Sequence, residues 1–269
     1  MRPILTLLFA FCAIPAMADQ PLVKLQTGND SRGWEAVGKL VLGDRGFCTG
    51  ALIAPDLVLT AAHCLFDKET GAALNPADIK FLAGWRNGRA EAYRGARQAV
   101  AHPDYVYGGA DSLDRVAYDV AVVQLDQPIL STSVKPFAIA ASPAKGDTVG
   151  VVSYAQDRAD TPSLQQSCDV MDKQPAVLVM SCDVDFGSSG APVFMMKDGV
   201  PQVVSVISAK ADVEGKQVAL ASALEIPLAK LMAELDAGNP SKGVAGNVRV
   251  LSGGGGGGAK FVKPAATVP

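Results

Sequence analysis

Gly187-Ser188-Ser189-Gly190-Ala191-Pro192, running on into Val193-Phe194-Met195-Met196, reads as a tight turn anchored by a buried strand. Glycines on both sides of Ser189 let the backbone turn sharply and come close to another molecule. A lone Gly-Ser-Ser-Gly has the composition of a flexible turn, but the apolar run that follows ties this one to a core. A serine hydroxyl is a poor nucleophile unless a base lies within hydrogen-bond reach, and the carbonyl it attacks needs N–H donors aimed at its developing charge. The search for a base is short, because the chain holds only His63 and His102.

His63 closes Thr60-Ala61-Ala62-His63-Cys64, after the strand-like Leu57-Val58-Leu59, with a cysteine beside it. His102 precedes Pro103, which biases it to an extended or turn conformation, and it reads as a packing histidine. A base of this kind needs a carboxylate that bonds the far imidazole nitrogen and stabilises the imidazolium as it forms. Asp119, at the head of the apolar strand Val120-Ala121-Val122-Val123, fits that role, although a strand-capping aspartate without chemistry has the same signature. Asp111 and Asp114 lie in a Gly-, Asp- and Ser-rich stretch that reads as exposed loop.

Taken in order, Thr-Ala-Ala-His-Cys, Asp119-Val120-Ala121-Val122 and Gly-Ser-Ser-Gly-Ala-Pro resemble the motifs of the chymotrypsin/trypsin-like serine peptidases, in particular their bacterial secreted branch, over residues 34 to 237. The resemblance implies an all-β fold of two six-stranded antiparallel barrels, with the active site between them and a closing C-terminal helix. It implies that His63 is the general base, that Asp119 orients it, that Ser189 attacks, and that the N–H groups of Gly187 and Ser189 form the oxyanion hole. Ser208 matches the family serine beside the aspartate and the substrate-binding strand. Asp183, six residues before Ser189, sits at the offset where trypsin-like members place the carboxylate of their primary pocket. With Ser208 and Lys210 it completes the expected substrate-binding set. A Lys or Arg preference follows from Asp183, because a buried carboxylate bonds a substrate cation strongly. Small or apolar residues stay open as the alternative, and a glutamate pocket is disfavoured because Ile207 stands where such relatives carry an extra histidine. Two departures stand out: Ser188 replaces the aspartate that pairs with a new N-terminus in digestive members, and Ala209-Lys210 replaces an aromatic-glycine pair.

Cysteine usage points to an oxidising compartment. Arg2, the apolar stretch from Ile4 to Ile14 and Ala16-Met17-Ala18 read as a signal peptide over residues 1–18, whose removal takes Cys12 with it. Four cysteines remain. The family resemblance implies a Cys48–Cys64 disulfide beside the histidine, and Cys168 with Cys182 would close a loop ahead of Ser189. A four-cysteine metal site is disfavoured, because close-paired spacing and a second well-placed histidine are missing. No metal and no cofactor are expected.

The 269 residues, 49% of them hydrophobic, suffice for one two-lobed domain with a substantial core. Residues 19–33 read as an N-terminal extension or propeptide, 34–238 as the peptidase domain, and 239–269, with six consecutive glycines, as a disordered tail. Short apolar runs at 36–42, 57–60, 120–125, 148–154, 176–181, 193–196, 203–208 and 218–223 argue for strands. One helix is expected where Pro227 is followed by Leu228, Leu231, Met232 and Leu235 at three-to-four spacing. A net charge of −3 without a basic block excludes nucleic acid as a partner class, and no second span of membrane length follows the signal. Protein or peptide substrates are the expected partners, in the periplasm or outside the cell, with the oligomeric state left open. The competing expectation is a catalytically silent relative that binds peptides in the same cleft.

Overall fold

The computed structural model describes residues 20–108, 113–225, 227–237 and 250–251. The expected signal peptide, Cys12 and most of the Gly-rich tail lie outside the described residues. A short strand, β1 (Val23–Lys24), opens the chain. The first barrel comprises β2 (Val37–Leu42), β3 (Phe47–Ala54), β4 (Leu57–Thr60), β5 (Ile79–Ala83), β6 (Ala92–Ala101) and β7 (Ala121–Leu125). It closes in the order β2-β3-β4-β7-β6-β5. A one-turn helix, α1 (Leu113–Ala117), leads into β7, and β8 (Ala138–Ala140) carries the chain across to the second lobe. There β9 (Thr148–Ser153), β10 (Ser163–Gln174), β11 (Val177–Met180), β12 (Pro192–Lys197), β13 (Val200–Val213) and β14 (Lys216–Ala223) form the second antiparallel ring, closed where β12 pairs with both β9 and β13. Helix α2 (Pro227–Ala237) follows, and β15 (Val250–Leu251) lies parallel to β8. No helix among the described residues is long and apolar enough to cross a membrane.

The expected barrels are present, and the apolar runs read from the sequence fall on their strands. Four barrel strands, β3, β5, β6 and β10, fall outside those runs. β10 is the plainest case: its buried positions include Ser163, Gln165 and Cys168, so the period-two burial is real but is not written in aliphatic residues. Residues 113–117, expected as loop, form α1 with Val116 and Ala117 turned inward. Residues 20–33 lie against the second barrel, where β1 pairs with β10 and Leu25 is buried. α2 buries Leu228, Leu231 and Leu235 in the core, as its spacing predicts.

Two features join the barrels. An aromatic cluster spans the seam, with Phe194 of β12 packed against Trp34 and Phe137 at centroid separations of 4.9 and 4.7 Å. Thr49, wholly buried on β3, supplies the polar link. Its N–H donates to the Ser189 carbonyl at 2.8 Å, and its hydroxyl donates to the Gly187 carbonyl at 2.8 Å while accepting from the Tyr154 N–H at 3.0 Å. The disulfides pair as expected: Cys48–Cys64 pins β3 to the turn holding His63, and Cys168–Cys182 ties β10 to the segment that leads to Ser189. Each cross-link of this loop size stabilises by about 2–4 kcal/mol, chiefly by restricting the unfolded chain.

Two outcomes follow. Thr49→Val keeps the shape but leaves the Gly187 carbonyl and the Tyr154 N–H without their partner, so urea unfolding should show a loss of about 2–3 kcal/mol, with Thr49→Ser close to wild type. Thiol titration of the denatured, unreduced mature protein should find no reactive thiol, and titration after reduction should find all four cysteines.

Candidate active site

The Ser189 turn is held in a conformation that needs its glycines. Gly187 has φ +97° and Gly190 has φ +78°, the left-handed region that side chains disfavour. Space is lacking as well. A Cβ on Gly190 would come within 2.3 Å of the Thr49 carbonyl oxygen, and one on Gly187 within 2.5 Å of the Phe47 ring. The turn is therefore pressed against the first barrel. Ser188, Gly190 and Ala191 donate their N–H groups to Asp185, Ile207 and Ser188 carbonyls. The N–H groups of Gly187 and Ser189 make no hydrogen bond among the described residues, which leaves two adjacent donors for an anion.

His63 and Asp119 meet because of strand pairing. β4 and β7 are antiparallel neighbours with Thr60 opposite Ala121, so the residues just beyond the end of β4 and just before the start of β7 come together. His63 sits in a single 3-10 turn spanning Ala62–Leu65, and Asp119 follows α1, its N–H bonded to the Val116 carbonyl. The buried Asp119 carboxylate accepts three hydrogen bonds: from the His63 N–H at 2.8 Å, from His63 Nδ1 at 2.7 Å and from the Ser208 hydroxyl. A carboxylate oxygen can only accept, so Nδ1 carries the proton and Nε2 presents its lone pair. Ser208 reaches Asp119 from β13, so this carboxylate is shared by both barrels.

His63, Asp119, Ser189 and Ser208 all line one cleft of about 790 Å³. Ser189 Oγ has no hydrogen bond to His63 among the described residues, and His63 Nε2 lies 3.8 Å from Cys64 Sγ. His63 and Ser189 thus share the cleft without a hydrogen bond between them, a looseness common at such sites before a ligand binds. Tyr105 and Tyr107 flank the opening, and both pack on Phe66. Burial pushes the Tyr105 phenol well above its ordinary range, so it stays neutral.

The three residues expected to bind substrate are divided between two pockets. Ser208 and Lys210 line the cleft, but Asp183 does not. It is exposed and borders a second pocket of about 210 Å³, which Lys210 lines from its other side, with its N–H donated to the Gln165 side chain. The carboxylate facing the cleft is Asp185, two residues on, bonded to Lys210 Nζ at 2.8 Å. The Lys210 ammonium, then the Phe186 N–H, hold the Asp185 carboxyl below its ordinary value. Strict alternation would put residues 183 and 185 on one face; residues 181–185 are not regular strand and run into a turn at Phe186–Gly187, so the two acids border different pockets.

Ser188, standing where digestive relatives have an acid, is fully buried. Its hydroxyl accepts from the Asp185 N–H at 3.3 Å and from Arg158 Nη2 at 3.5 Å, and it reaches the Tyr154 carbonyl at 3.3 Å. Arg158 is itself buried and donates Nη1 to the Ser153 carbonyl and hydroxyl at 3.0 and 3.1 Å. The turn is thus backed by a cation and neutral dipoles. His102 packs as expected: it is buried, stacks on Tyr118, accepts the Asp104 N–H at Nδ1, and burial lowers its pKa. Thr49, Arg158 and Asp185 went unread in the sequence, because no local pattern marks a residue whose partners lie a hundred or so positions away or on a turn of unknown direction.

The family model described as Trypsin matches residues 26–225. Over 150 residues the chain is 28% identical to the glutamyl endopeptidase of Bacillus licheniformis, an alignment covering 55% of this chain and 45% of that protein. It is 28% identical over 177 residues to serine protease 23 of Mus musculus, covering 58% and 44% of the two chains. With mannan-binding lectin serine protease 1 of Homo sapiens it shares 26% over 159 residues, or 53% and 22%. The chain therefore spans less than half the length of these curated relatives. A solved Glu endopeptidase in complex with MPD superposes with a TM-score of 0.66 at 18% identity, covering 82% of this chain and 98% of that one, which shows a shared fold. Since the family match takes in both barrels and every seam residue from Thr49 to Ser208, the chain belongs to the trypsin family.

Proposed function

We propose that this chain is an exported serine endopeptidase that cleaves peptide bonds through an acyl-enzyme on Ser189. The observation that carries the reading is the line of hydrogen bonds from Ser208 through Asp119 to His63 Nδ1, which turns His63 Nε2 into the cleft that Ser189 shares. In the proposed reaction Ser189 Oγ attacks the substrate carbonyl carbon as Nε2 takes its proton. Asp119 stabilises the imidazolium, and the Gly187 and Ser189 N–H groups bond the oxyanion. The same proton then passes to the leaving amine as the C–N bond breaks, and water, deprotonated by Nε2, releases the acyl group. The two disulfides support export through the signal read at residues 1–18, with residues 34–238 as the peptidase unit.

Ser189→Ala should lower kcat by about 10⁴-fold or more. His63→Ala should cost a similar factor and the double variant little more, because the pair works as a unit. Peptide turnover measured on purified protein checks this, with His102→Ala as a control near wild type; wild-type turnover by Ser189→Ala would sink the assignment. A serine-directed phosphonylating reagent should add one adduct at Ser189, seen by intact mass. A silent peptide-binding relative would remain unlabelled.

A further inference from the structure

The cleft beside Ser189 has two walls: residues 184–186, which lead into the Ser189 turn, and residues 208–210 of β13. Lys210 bridges them. Its Nζ donates to Asp185 Oδ1 at 2.8 Å and stands 5.0 Å from the centroid of the Phe186 ring. Both members of the pair are substantially exposed, with side-chain exposures of 39% and 52%, so the contact is weakly held and opens at little cost.

Opening it leaves the two partners in different positions. Asp185 keeps a hydrogen bond from the Phe186 N–H at 2.8 Å and the positive field of buried Arg158. Lys210 keeps no second carboxylate bond among the described residues. A substrate carboxylate can therefore take Lys210 while Asp185 stays compensated. A substrate cation that took Asp185 would strand Lys210 beside a second positive charge, which is unfavourable at close range. The surroundings act in the same direction. Lys68 also lines the cleft, and the other carboxylate lining it among the described residues, Asp119, is buried and engaged by His63 and Ser208.

We propose that Lys210 is the specificity-determining residue, binding the carboxylate of an acidic side chain on the residue whose carbonyl Ser189 attacks. Segment 184–186 is covalently continuous with the Ser189 turn, so the pocket it walls adjoins that residue. The inference rests on the peptidase reading of the cleft and replaces the basic preference expected from Asp183.

The test uses matched peptides carrying Glu, Gln or Lys at that one residue. Wild type should favour Glu over Gln in kcat/KM by at least about tenfold, the scale of one charge-assisted hydrogen bond. Lys210→Met should bring the ratio near one, Lys210→Arg should hold it, and Asp185→Asn should hold or raise it by releasing Lys210. An unchanged ratio in Lys210→Met, or a wild-type preference for Lys, would overturn the proposal. A second arm needs no turnover: calorimetry of C-terminally amidated Glu and Gln peptides binding to Ser189→Ala, with and without Lys210→Met. If wild type cuts no peptide the peptidase reading falls, yet tighter Glu binding that Lys210→Met abolishes still supports the role of Lys210. Equal binding of the two peptides overturns it.

Discussion

Two barrels that each close on their own hairpins can meet in many relative positions, and polar atoms buried at the seam select one. Thr49 binds Gly187, Ser189 and Tyr154 at once, all from the other barrel or its loops. Asp119 does the same from the opposite direction, accepting from His63 on one side and Ser208 on the other. Slippage by one residue would leave several buried donors and acceptors unpaired, each costing about 1–3 kcal/mol. The aromatic contacts among Trp34, Phe137 and Phe194 add area but tolerate sliding. The hydrogen bonds do not.

That constraint makes the site stiff where chemistry needs it. The Ser189 turn has left-handed glycines against the first barrel, a buried cation and hydroxyl behind it, and a disulfide just upstream. The Gly187 and Ser189 N–H groups have no partner among the described residues, and donors held in place in this way cost no reorganisation when they meet an anion. The Lys210–Asp185 ion pair, by contrast, is exposed, and exchange of its partners is cheap.

Much of the fold could be read from the chain because strands buried on both faces write short unbroken apolar runs, as Leu57-Val58-Leu59 and Val120-Ala121-Val122-Val123 do. β10 was hidden because Ser163, Gln165 and Cys168 occupy its inward positions, and α1 because one helical turn is shorter than any detectable period. The candidate base and nucleophile were legible for a simpler reason. The chain has two histidines, and only one stands in a turn beside a cysteine.

The sequence by itself determined the strand-rich class, the closing helix and the candidate trio His63, Asp119 and Ser189, each carried by local pattern, count or motif, while the disulfide beside His63 followed only from the family resemblance. Only the tertiary structure decided what surrounds that trio. Asp183 and Asp185 differ by two positions ahead of the turn at Phe186–Gly187, and which of them pairs with Lys210 depends on where that turn directs the chain. Thr49 and Arg158 acquire meaning from partners about 140 and 30 residues away, respectively. Side-chain direction and long-range pairing are properties of packed barrels, set by burial and by the pairing of buried polar atoms, and no stretch of residues read alone contains them.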